Sequence, residues 1–171
     1  MNIEGAAGNG DRDGDGDGDR DRAAIAALVY GYAELVDAGD FAGVGAMFAA
    51  GTFRAAAGNE IHVRRGAGEV RAQFEQLVRV YDDGTPGTKH VTTNLAIDLD
   101  TEAGMAQSLS YFTVLQGRPG PDGPDIGIVV AGRYEDRFTR DGDGTWRFAD
   151  RLIFTDLVGD VSRHLRGRPL G

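Results

Sequence analysis

The sequence predicts an α+β domain over residues 22–165, with N-terminal helices packed on one face of a curved antiparallel sheet. Three observations carry this prediction. Up to about residue 81 apolar side chains recur mainly at spacings of three and four, and from residue 90 onward they alternate. The helical segments come first and the long strands follow, which is an α+β order and not the alternation of a doubly wound fold. The 171 residues suffice for one self-supporting core.

Ile25, Leu28, Val29, Tyr32, Leu35 and Val36 form the stripe of a first helix that stops at Ala38-Gly39. Asp40 is a candidate N-cap for a second helix carrying Phe41, Val44, Met47 and Phe48. Thr52–Ala57 and Glu60–Arg64 read as a strand pair turning at Gly58-Asn59. A third helix spans about Gly68–Tyr81, ended by the breaker Asp82–Gly87. In the strand His90–Asp100, strict alternation puts Val91, Thr93, Leu95, Ile97 and Leu99 on one face and His90, Thr92 and Asn94 on the other. Met105–Gln116, Ile126–Arg140 and Trp146–Leu157 are further strands. Gly117–Asp125 reads as a loop long enough to cover a pocket mouth, and residues 166–171 as a tail.

Residues 1–21 form an Asp/Gly-rich leader with no apolar surface to offset the entropy of ordering, so disorder is expected. Asp11, Asp13, Asp15 and Gly16 match the opening of a calcium loop, but Arg22 stands where the bidentate glutamate belongs. The net charge of −9 excludes the basic stripe a nucleic-acid partner requires and disfavours anionic membranes. No cysteine is present, and the three histidines lack the spacing of a metal site. With no secretory signal or apolar span, the expected location is the cytoplasm.

The run Ile25-x-x-Leu28-x-x-x-Tyr32-x-x-x-x-Asp37-x-Gly39-Asp40, then Lys89–Asn94, then Gly132–Phe138 and Gly144–Arg151, resembles the SnoaL-like branch of the nuclear transport factor 2-like superfamily. That resemblance implies a cone-shaped α+β barrel, a homodimer, no required cofactor, and a pocket for a small-molecule substrate. Its enzymes include scytalone and bile-acid dehydratases, polyketide cyclases, dehydrochlorinases and epoxide hydrolases. It also implies catalytic roles for Asp37, His90 and Tyr32. The further acidic residue of the bile-acid dehydratases falls here near Val114.

From the residues themselves, Asp37 lies in the last turn of its helix, where the helix dipole disfavours a carboxylate. An imidazole facing it, from His90, offsets that cost and gains a partner that orients it as a general base. Alternatively, Asp37 merely ends a helix at the surface and His90 is a structural histidine. Tyr32 lies about 140° around the helix from Asp37, whereas Tyr30, seven residues away, shares its line and is a rival proton donor. Tyr30, Thr92, Asn94, Tyr111 and Arg151 are candidate substrate-binding residues; Arg151 holds either Asp37, a substrate carbonyl, or a salt bridge to Asp136 or Asp150. The expected function is a cofactor-independent lyase or isomerase acting by proton transfer on a hydrophobic, oxygenated molecule, in dehydration, cyclisation or elimination. The composition fits a high-GC genome and secondary metabolism. The alternative is a non-catalytic binding or dimerisation module of the same fold.

Overall fold

The computed structural model describes residues 13–120 and 123–167. Three helices, α1 (Asp13–Ala38), α2 (Phe41–Met47) and α3 (Gly66–Leu77), accompany six strands. These are β1 (Thr52–Ala57), β2 (Glu60–Arg65), β3 (Thr88–Asp100), β4 (Met105–Gly120), β5 (Gly123–Arg140) and β6 (Trp146–Val158). They form one curved, unclosed sheet in the order β2-β1-β6-β5-β4-β3. All neighbours are antiparallel except β1 and β6, which are parallel.

Two expectations at the chain's N-terminal side and centre are corrected. Residues 13–21, read as part of a disordered leader, are helical. Acids in the first turns of a helix complement its positive end, and Asp21 is anchored from afar. Its carboxylate accepts from the Trp146 indole at 2.8 Å and from Arg140 at 3.0 Å. The calcium-loop reading of Asp11, Asp13 and Asp15 rests on side chains that lie outside the described residues. Gly117–Asp125, read as a pocket-covering loop, instead prolongs the β4–β5 hairpin, with Gly120 pairing Gly123.

The core lies between the helices and the inner face of the sheet. Ile25, Val29, Tyr32 and Val36 of α1 meet Phe48, Phe53, Phe74, Phe112, Tyr134, Phe138 and Phe148. These rings pack against one another, with Phe112 stacked on Tyr134 at 4.4 Å and Phe48 on Phe148 at 5.0 Å. They fill the space between the helices and the sheet. Beyond β6, residues 159–167 are not a free tail. Val161 is buried, Leu165 bridges Val78, and the Arg166 amide donates to the Leu77 carbonyl.

α1 lies along the edge strand β3 and is pinned to it at two points, one near its middle and one in its last turn. Arg22 donates to the Ile97 carbonyl at 2.6 Å, and Asp37 accepts the His90 amide at 2.8 Å. The helix then stops at once. Gly39 takes φ +74°, the Asp40 amide returns to the Leu35 carbonyl and the Gly39 amide to the Val36 carbonyl, the paired bonds of a Schellman end. Glycine is needed there because that left-handed backbone is costly for side chains with a Cβ.

Candidate active site

Asp37 and His90 meet as anticipated. His90 Nδ1 lies 2.6 Å from Asp37 Oδ1. The same oxygen accepts from the Thr88 hydroxyl at 2.7 Å, while Oδ2 takes the His90 amide. Both side chains are more than nine-tenths buried. Burial pushes the Asp37 carboxyl up, but the His90 ring bond, the His90 charge, its amide and the Thr88 hydroxyl together outweigh it, leaving Asp37 below its ordinary value. Held as a carboxylate, Asp37 accepts the proton on Nδ1 and leaves Nε2 as the ring nitrogen available for proton transfer.

A β-bulge delivers His90 to this position. Asn94, at φ 56°, falls where the β3–β4 register slips between Thr93 and Ala96. Before the bulge the inward residues are Thr88, His90 and Thr92; after it they are Leu95, Ile97 and Leu99. Strict alternation had placed His90 and Leu95 on opposite faces; the extra residue puts them on the same one.

Two open clefts flank the pair. One, of about 620 Å³, runs along the α1–β3 seam and is lined by Tyr30, Ala33, Glu34, Asp37, His90 and Thr92, among others. A second, of about 330 Å³, is lined by Asp37, Thr85, Lys89, Leu115 and Ile126, among others. A third cleft of about 560 Å³, on the opposite sheet face, is bordered by Arg54, Asp98, Glu135 and Asp150 and does not include the pair.

The other anticipated residues divide. Tyr30 is half exposed and, with Thr92, lines the seam cleft. Tyr32 lines neither flanking cleft; it is buried among Phe48, Phe53, Phe74 and Tyr134. Burial raises its phenol to about 12, partly opposed by the charge of Arg151. The rotation between Tyr32 and Asp37 on α1 explains this, since one stripe faces the core and the other the seam. Tyr111 is half exposed on the outer sheet face, and Asn94 serves the bulge. Val114 lies directly across from His90 in the β3–β4 register, so no second acid faces the imidazole there.

Arg151 reaches neither Asp37 nor a cleft. It is fully buried, holds Asp136 through two bonds of 2.8 and 2.7 Å, and stacks on Tyr32, Tyr134 and Phe148. A second register slip, leaving Ala149 without a partner, turns Arg151 to the inner face that Phe148 already occupies. Burial lowers the guanidinium pKa, but the charge and hydrogen bonds of Asp136 raise it by more, so Arg151 remains charged. Asp150 pairs instead with Arg54. Among the described residues no cluster of three or more acids and histidines could hold a metal ion, and no helix is long and apolar enough to cross a membrane.

A curved, unclosed sheet with N-terminal helices on one face is the nuclear transport factor 2-like architecture. The SnoaL-like domain profile matches residues 20–152, and the chain belongs to that family, within the nuclear transport factor 2-like superfamily. Among solved structures it is similar to a single-residue variant of Rv3472, a Mycobacterium tuberculosis protein of unknown function (25% identity, TM-score 0.64, covering 83% of this chain and 75% of that one). It is similar to ActVI-ORFA of Streptomyces coelicolor (20%, TM-score 0.60, 79% and 96%). A provisionally assigned scytalone dehydratase from Novosphingobium aromaticivorans shares 21% identity (TM-score 0.62, 84% and 89%). These last two likenesses concern the fold. No curated protein matches the chain significantly.

Proposed function

We propose that the chain is a cofactor-independent lyase or isomerase in which Asp37 and His90 move a proton on an oxygenated, largely apolar small molecule bound at the α1–β3 seam. The observation that carries this reading is the 2.6 Å bond between His90 Nδ1 and a carboxylate held below its ordinary pKa, beside an open cleft. In the step envisaged, His90 Nε2 removes a proton next to a carbonyl and the C–H electron pair forms an enolate. In a dehydration, that electron pair then forms the C=C bond as the β-oxygen leaves, taking a proton to become water. Tyr30, which lines the same cleft, is the proposed donor of that proton. The same base serves cyclisation if the enolate attacks a second carbonyl.

The reading is supported by family membership and by the likeness to a protein assigned to dehydration. It extends to a cytoplasmic homodimer, paired through the exposed apolar residues Leu109, Tyr111 and Leu157 of the outer sheet face.

The test is turnover of a panel of β-hydroxy ketones, followed by the absorbance of the enone formed. Wild-type protein is expected to turn over at least one member, with D37N and H90A reduced about 100-fold or more. Equal rates in all three proteins, or no wild-type turnover, would leave the non-catalytic binding module as the better account.

A further inference from the structure

The two clefts beside the dyad share three residues: Asp37, Thr85 and Lys89. Lys89 is the only lysine in a chain that carries 17 arginines. Most described arginines are tied to a carboxylate or a carbonyl, as with Arg54, Arg133, Arg140, Arg147 and Arg151. Lys89 has neither an ion pair nor a side-chain hydrogen bond among the described residues. Lys89 therefore carries an unneutralised cation in a protein of net charge −9; it alternates outward from His90, on the face of its ladder partner Leu115, and borders both clefts.

The surroundings restrict what such a cation can bind. Of the two carboxylates lining the seam cleft, Asp37 is already committed to His90 and Thr88, and Glu34 makes no ion pair with Lys89 among the described residues. Tyr30, Ala33 and Val91 in one cleft, and Leu115 and Ile126 in the other, offer apolar surface on either side. A compact ammonium on a flexible stem is suited to a single anionic oxygen, without the planar fork an arginine imposes.

We infer that Lys89 is a specificity-determining residue that holds a carboxylate group of the ligand, whose apolar body lies along the clefts beside the dyad. This names the class of molecule, an organic anion, for the site proposed above and rests on that reading for its catalytic consequence, but not for binding.

Binding is the test, with 2-naphthoate and its neutral counterpart 2-naphthamide as probes titrated against the full chain and followed by amide NMR shifts. The wild type is expected to favour the carboxylate about tenfold or more, consistent with a charge-assisted hydrogen bond. K89M is expected to abolish that preference and K89R to retain part of it. Because the chain has one lysine, reductive methylation with formaldehyde and cyanoborohydride should modify a single internal site, protected by 2-naphthoate. Equal affinity for the two probes, a preference unchanged in K89M, or no binding of either probe would overturn the inference. H90A run in the same titration separates the two readings, since it is expected to lose turnover and keep the carboxylate preference.

Discussion

Asp37 grips His90 twice, taking the ring nitrogen with one carboxylate oxygen and the backbone amide with the other. A side chain from the end of α1 thus both orients an imidazole and satisfies an edge-strand donor that would otherwise face away from the ladder. Substituting Asp37 therefore alters chemistry and architecture together, and the two can be separated.

Chemistry is separated by Thr88. T88V removes the hydroxyl bond to Asp37 Oδ1 but leaves both His90 contacts in place. Its turnover is expected to fall by less than about tenfold, against about 100-fold or more for D37N. Comparing kcat for the two variants on one β-hydroxy ketone checks this ordering.

Architecture is separated by pH. The folded-state pKa of Asp37 lies below its ordinary 3.8. The group therefore contributes stability that is fully present above that value and is lost as pH falls through the folded pKa. The Tm margin of wild type over D37N is expected to shrink as pH falls below about 4. Thermal denaturation of both proteins across that range reads it.

The Arg151–Asp136 pair supplies a sharper stability test. Both side chains are fully buried, so D136A strands a guanidinium without its counter-charge. A loss of about 3–5 kcal/mol is expected, whereas the double substitution R151M/D136L should recover most of it. Urea unfolding of the single and double variants gives the comparison.

Ser110 should behave in the opposite direction. It is fully buried on the inner sheet face, and its hydroxyl has no hydrogen-bond partner among the described residues. S110A removes an uncompensated desolvation cost and is expected to raise stability by about 1 kcal/mol. A lowered Tm would show that the hydroxyl has a partner.

At the N-terminal side, D21A breaks the bonds to Trp146 and Arg140 and is expected to cost about 1–3 kcal/mol. Trp146 fluorescence on denaturation follows that loss directly.

Much of this was legible in the sequence. Periodicity located the α1 stripe, the strands and the seam line Tyr30–Asp37, and the Asp37–His90 pair followed from the family resemblance and the need to neutralise a helix C-terminus. What alternation could not reveal were the bulges at Asn94 and Ala149. An extra residue reverses which side chains face inward, and no composition rule marks where a ladder slips. Asp98 and Asp150 show the effect, each lying on the outer-face cleft. The helical residues 13–21 were hidden for a different reason. Glycine and aspartate are weak helix formers locally, and the tryptophan that anchors Asp21 lies 125 residues away. Nor could the sequence foresee that aromatic rings fill the space under the helices, leaving the open clefts at the seam.

The two borders of the sheet are unequal. β3 is sheathed by α1, whereas β2 ends the ladder on the other side. Intermolecular strand addition therefore has one approach, along Glu60–Arg65, where Glu60, Arg64 and Arg65 place charges in the path of an incoming chain. Helical cover on one border and charge on the other guard the protein against ribbon-like self-association by different means.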